Sequence, residues 1–171
     1  NTNFQSNLPF PFLNVLTSVP TITVAIACDS TGTGTVNAGQ TSYAALQYAC
    51  ELVGTSKGFR FVPHCRGWSN KKASEFYAYA LSVLSSAYPP DVLIYQVWSQ
   101  NNTTDTTYPT ELALAADIVS RCRRQGVTPV LLNGIPLNAW GAGEAAKEAA
   151  RLALNVTVAQ WGVPLIDADS V

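Results

Sequence analysis

Residues 21–30 read Thr-Ile-Thr-Val-Ala-Ile-Ala-Cys-Asp-Ser, and this stretch decides the fold. Its first eight residues are β-branched or apolar with almost no polar alternation. That is the pattern of a strand buried on both faces, as in a parallel sheet covered by helices. The apolar run breaks off at Asp29-Ser30, and a small glycine-bearing turn follows, Thr31-Gly32-Thr33-Gly34.

Outward from this strand, strand-like and helical patterns alternate. Residues 41–53 predict a helix stopped by Gly54, and residues 58–62 a short strand ended by Pro63. Asn70 is placed to cap a helix running to about residue 86, with Phe76, Ala80 and Leu84 on one face. Residues 91–98 (DVLIYQVW) form a second buried strand. Pro109 suits the first turn of a helix that ends at the basic run around Arg121 and Arg124, with Gly126 just beyond. A strand at 127–133, an Ala-rich helix at 144–161 closed by Gly162, and a strand at 163–167 complete the series.

A βαβαβαβαβ order predicts a flavodoxin-like α/β fold: three α/β/α layers around a five-stranded parallel sheet of order 2-1-3-4-5. Right-handed crossovers then set the first helix on one face and the other three on the opposite face. Residues 1–20 read as a lead-in strap or linker, and 21–171 as one α/β domain, incomplete at its carboxyl end. Strands 127–133 and 163–167 are apolar on both faces. Val130 and Leu132 are therefore expected to face water unless residues 4–16, a further segment or a second chain covers them.

Composition narrows the function classes. The chain of 171 residues is 47% hydrophobic and 12% charged, with net charge −1 and no basic run. Electrostatic attraction to nucleic acid or to an anionic membrane is not expected, and the apolar runs are strand-length, far short of a membrane span. With no methionine and an Asn/Thr-rich lead, the sequence reads as a processed chain or a piece of one, extracellular or particle-associated. Cysteines at 28, 50, 65 and 122 match no zinc or CxxC spacing and read as small buried residues, although their even number permits disulfides. Cys50 and Cys122 belong to helices on opposite faces and cannot pair. Cys28 and Cys65 end neighbouring strands and are the pair expected to approach.

Ligands of an open parallel sheet bind beyond the carboxyl ends of its strands. There the sequence places Asp29-Ser30, then Arg66-Gly67-Trp68-Ser69-Asn70, then Ser99-Gln100-Asn101-Asn102, then Gly134-Ile135-Pro136-Leu137-Asn138. Hydroxyl, glycine and amide groups converge on one edge. A serine hydroxyl becomes a nucleophile when a base takes its proton, and the oxyanion it creates needs neutral, fixed donors. The Ser30 N–H, the Gly67 N–H and the Asn101 amide have the right chemistry, and glycine at 67 admits close approach of the backbone.

The three loops resemble the SGNH (GDSL-like) ester hydrolases, whose motifs are Gly-Asp-Ser after the first strand, a glycine loop after the second, and Gly-x-Asn-Asp after the third. Here they read Cys28-Asp29-Ser30, Arg66-Gly67-Trp68-Ser69 and Ser99-Gln100-Asn101-Asn102. The resemblance implies a serine ester hydrolase with Ser30 as nucleophile and Gly67 and Asn101 as oxyanion donors, Asn102 being the donor if the register is displaced by one. It implies no metal and no cofactor. Acetyl or short acyl esters are the expected substrates, with carbohydrate O-deacetylation first and a lipid or small acyl ester second.

The family's Asp-x-x-His motif is absent from these residues. The Asp/His pair is therefore expected from a further segment or second chain, and a non-catalytic ligand- or carbohydrate-binding domain is the alternative. His64, the one histidine, reads as structural or cleft-lining rather than as the base. Asp167 reads as a residue that fixes a loop. Trp68 and Trp140 suit either a sugar-stacking platform or core or lid packing, and Trp98 suits the core. A phosphate site at residues 31–34 ranks last, because the turn lacks the lysine and spacing of a P-loop.

Overall fold

The computed structural model describes residues 20–29, 45–68, 71–99, 101–102, 108–134 and 144–168. Among them the chain forms β1 (Thr21–Asp29), α1 (Ala45–Lys57), β2 (Arg60–Trp68), α2 (Ala73–Leu84), β3 (Val92–Gln96), α3 (Tyr108–Gln125), β4 (Thr128–Leu132), α4 (Glu144–Ala159) and β5 (Leu165–Ile166). All neighbouring strands are parallel, in the order β2-β1-β3-β4-β5 expected of a flavodoxin-like fold. No helix among the described residues is long and apolar enough to cross a membrane.

The pleat sorts each central strand between two cores. Ala25 and Ala27 of β1, Leu93 and Tyr95 of β3 and Leu131 of β4 face α2, α3 and α4, meeting Phe76, Ala80, Leu84, Ile118 and Leu154. Val24, Ile26 and Cys28 point the other way, with Ile94 and Leu132, toward Leu46 and Cys50 of α1. One helix thus covers one face and three the other, as right-handed crossovers require. Cys50 and Cys122 lie in opposite cores. Burial pushes the Cys122 thiol up to about 11.

Several boundaries differ from expectation for physical reasons. Gly54 does not stop α1, which runs on to Lys57. A Cβ at Gly54 would lie 2.7 Å from the Phe61 ring and 2.8 Å from the Phe59 carbonyl, so this glycine serves the approach of α1 to β2. Gly58, with φ of 73°, makes the stop instead. Pro63 does not end β2, which continues to Trp68. β2 is an edge strand, where a missing N–H need not break the ladder. The expected approach of Cys28 to Cys65 also fails. The register sets Cys65 opposite Ile26. From strand spacing and rise its Cα is then about 8 Å from that of Cys28, beyond disulfide reach.

Asn70 and residues 1–19 lie outside the described residues. The Pro20 carbonyl accepts from Arg60 N at 2.9 Å and so extends the β1–β2 ladder. On the face with one helix the aliphatic side chains are not left in water: Leu132 is 3% exposed. It packs in one cluster with Ile94, and Val130 and Ile166 are half-buried against it.

Candidate active site

At the carboxyl edge the end of β1 is held by two polar side chains from β3 and its exit. Asp29 is fully buried, and its N–H donates to Gln96 Oε1 at 3.0 Å. Gln96 Nε2 donates in turn to the Trp98 carbonyl at 2.6 Å. The Ser99 hydroxyl lies 2.7 Å from Asp29 Oδ2 and 2.8 Å from the Lys71 carbonyl. It also accepts from the Asn101 N–H at 3.1 Å. The buried ends of β1 and β3 and the segment leading into α2 are thus tied at one oxygen.

The two adjacent asparagines have different roles. Asn101 is half-buried and donates one amide hydrogen to the Lys71 carbonyl at 3.1 Å. Asn102 is 2% exposed, and its Oδ1 accepts from Ala73 N at 3.0 Å, satisfying an N–H at the start of α2. The cap expected from Asn70 is therefore supplied from a residue distant in sequence. Glu75 reaches back to the Lys72 N–H at 2.9 Å and pairs with Lys71, completing this helix start.

The β4 end is knit separately. Asn133 donates to Asp167 Oδ1 at 2.6 Å and accepts from Ala168 N at 2.7 Å. Asp167 thus fixes the exit of β5, the role read for it. Gly134 is clasped by α4: its N–H donates to Asn155 at 2.9 Å, and its carbonyl accepts from Arg151 at 2.6 Å and from Asn155 at 3.1 Å. Arg151 is 2% exposed and pairs with Glu148. A Cβ at Gly134 would stand 2.8 Å from both Arg151 Cγ and Trp98 Cβ, so only glycine fits there. Trp98 itself is core, at 1% exposure.

Ser30 lies outside the described residues, as do Thr31–Gly34 and Trp140. Its neighbour Asp29 ends β1, opposite Trp68 on one side. Gly67 is opposite Cys28 within β2, not in a loop beyond it. His64 is not at the edge where a strand ended by Pro63 would put it, because β2 outlasts Pro63. It lies opposite Ala25, four strand residues before Asp29, or about 13 Å along the strand. Gln96 and the Asn102 cap were not expected. The one amide in the apolar run 91–98, Gln96, is the sequence signal by which the former could have been found.

Burial sets the electrostatics behind the edge. Glu111, in the first turn of α3, is 3% exposed, and its Oε2 has no hydrogen-bond partner among the described residues. Burial raises its carboxyl to about 7. Burial first, and Glu111 second, hold the Tyr95 phenol well above its ordinary range. Among the described residues no three His, Cys, Asp or Glu side chains converge as metal ligands.

Sheet order and helix distribution make this a flavodoxin-like α/β fold, and solved esterases of the SGNH (GDSL) type share it. AlinE4, an SGNH-hydrolase family esterase, superposes with TM-score 0.64 at 15% identity over 89% of this chain and 77% of that one. The psychrotrophic esterase EstA of a Pseudoalteromonas species, solved with monoethylphosphonate as inhibitor, gives 0.60 at 10% identity over 85% and 76%. A variant of Axe2, an acetyl-xylooligosaccharide esterase from Geobacillus, gives 0.58 at 14% identity over 90% and 80%. At these identities the likeness is one of fold. No family model and no curated protein matches the sequence.

Proposed function

We propose that the chain is a serine ester hydrolase of SGNH type that removes acetyl or other short acyl groups, with acetylated carbohydrate as the substrate class. The observation that carries this reading is the tie between Asp29, the residue before Ser30, and the turn bearing Asn101, made through Ser99. A strand end fixed one residue before a serine, close to a turn with an amide side chain, supports this reading. The shared fold with esterases, one of them acting on acetylated xylo-oligosaccharides, supports the same choice.

In this mechanism Ser30 Oγ attacks the ester carbonyl carbon as its proton passes to a base. The tetrahedral oxyanion accepts hydrogen bonds from the Ser30 and Gly67 N–H groups and the Asn101 amide. Collapse breaks the ester C–O bond, and the alcohol leaves with the proton. Water then repeats the sequence on acyl-Ser30, releasing the acid. The chemistry requires no metal or cofactor. The base is not His64, which sits mid-strand. In this reading the base is the Asp/His pair that the resemblance implies.

The test is hydrolysis of p-nitrophenyl acetate and of acetylated xylo-oligosaccharide by the protein with its natural flanking sequence or partner. Ser30→Ala is expected to abolish both activities. Undiminished turnover by Ser30→Ala would exclude the mechanism, and ligand binding without turnover in the wild type would favour a binding domain.

A further inference from the structure

Among the described residues the Ser99 hydroxyl joins three segments of chain at the carboxyl edge. Ser99 has no solvent exposure. Its oxygen is 2.7 Å from Asp29 Oδ2, 2.8 Å from the Lys71 carbonyl, and 3.1 Å from the Asn101 nitrogen that donates to it. A hydroxyl has one proton and two acceptor lone pairs. Its single proton is shared between the Asp29 carboxyl oxygen and the Lys71 carbonyl, while a lone pair accepts from the Asn101 N–H. Gln96 fixes the Asp29 main chain from the same strand at 3.0 Å, so both the backbone and the side chain of Asp29 are held from β3. Glycine, which the resembling motif carries at this place, has no hydroxyl to make these bonds.

We propose that Ser99 is a positioning residue: its hydroxyl holds Asp29, the residue before the nucleophile of the proposed mechanism, against the turn that bears Asn101. This rests on the reading of Ser30 as the nucleophile. A small misplacement between nucleophile and oxyanion donor slows the chemical step more than it weakens substrate binding. The loss of Ser99 is therefore felt in kcat, while KM barely moves.

The test compares Ser99→Ala, Ser99→Gly and Ser99→Thr with the wild type, all checked for folding by circular dichroism. Two readouts are used: kcat and KM on p-nitrophenyl acetate, and the rate at which a fluorophosphonate labels Ser30, followed by intact mass. Ser99→Ala and Ser99→Gly are expected to lower kcat and the labelling rate by about tenfold or more with KM within about threefold, and Ser99→Thr, which keeps the hydroxyl, to return within about threefold of wild type. Should Ser99→Ala not fold, Ser99→Gly carries the same test. Wild-type rates in the alanine or glycine variant, beside an inactive and unlabelled Ser30→Ala, overturn this proposal alone. So does a change confined to KM, or a threonine variant as slow as the alanine one. Labelling of Ser30→Ala as fast as wild type overturns the underlying reading, and this proposal with it.

Discussion

Glu111→Gln is expected to stabilise the protein at alkaline pH and to do little in acid. The carboxyl is 3% exposed, one of its oxygens lacks a partner among the described residues, and burial raises it from 4.5 to about 7. The sign follows from linkage. Below 4.5 both the folded and the unfolded carboxyl are protonated, and the group imposes no penalty. As pH rises toward 7 the unfolded chain releases the proton that the folded chain keeps, and stability falls by up to about 1.4 kcal/mol per pH unit. Above 7 the folded carboxyl ionises as well, and the loss levels off near 3 kcal/mol at pH 8, against about 1 kcal/mol at pH 5. Glutamine keeps the shape and has no proton to lose. The stability gap between variant and wild type should therefore widen by about 2 kcal/mol from pH 5 to pH 8. In a protein of this length that corresponds to about 4–8 °C in melting temperature. Urea unfolding at the two pH values, followed by tryptophan fluorescence, measures it directly. An equal gap at both pH values would refute the reasoning, since only ionisation of this carboxyl distinguishes them.

The adjacent asparagines should separate by phenotype. Asn101→Ala is expected to lower kcat by about a hundredfold, the loss typical of one oxyanion donor, with little change in melting temperature. Asn102→Ala, which frees the Ala73 N–H at the start of α2, should instead destabilise by about 1 kcal/mol; the reverse pattern would shift the donor to Asn102. Gly134→Ala places a methyl 2.8 Å from buried Arg151 and Trp98 atoms, and should destabilise by about 1–3 kcal/mol in thermal unfolding. Wild-type stability in that variant would mean that the Gly134 site has room to relax.

Alternation of buried-strand and helical patterns was enough to determine a parallel sheet covered by helices, and the expected order 2-1-3-4-5 then gave the face of every helix. Those properties follow from short-range periodicity and from the handedness of crossovers, neither of which needs distant contacts. Ser30, Gly67 and Asn101 were legible as candidates because each follows an apolar run in a fixed order. What the sequence could not decide were the interactions between residues far apart in the chain. Gly54 looked like a helix stop, and only the approach of Phe61 shows why the helix continues past it. Pro63 looked like a strand end, and only an edge position lets β2 run through it to Trp68, carrying His64 back into the sheet. Asn70 looked like the cap of α2, yet Asn102 satisfies the Ala73 N–H from 29 residues away in sequence. Gln96 read as part of a buried strand and Ser99 as the first residue of the loop after it, and their hold on Asp29 spans 67 and 70 residues. Periodicity records which side of an element is apolar. It carries no record of which buried donor meets which acceptor, because that pairing exists only once the strands lie side by side.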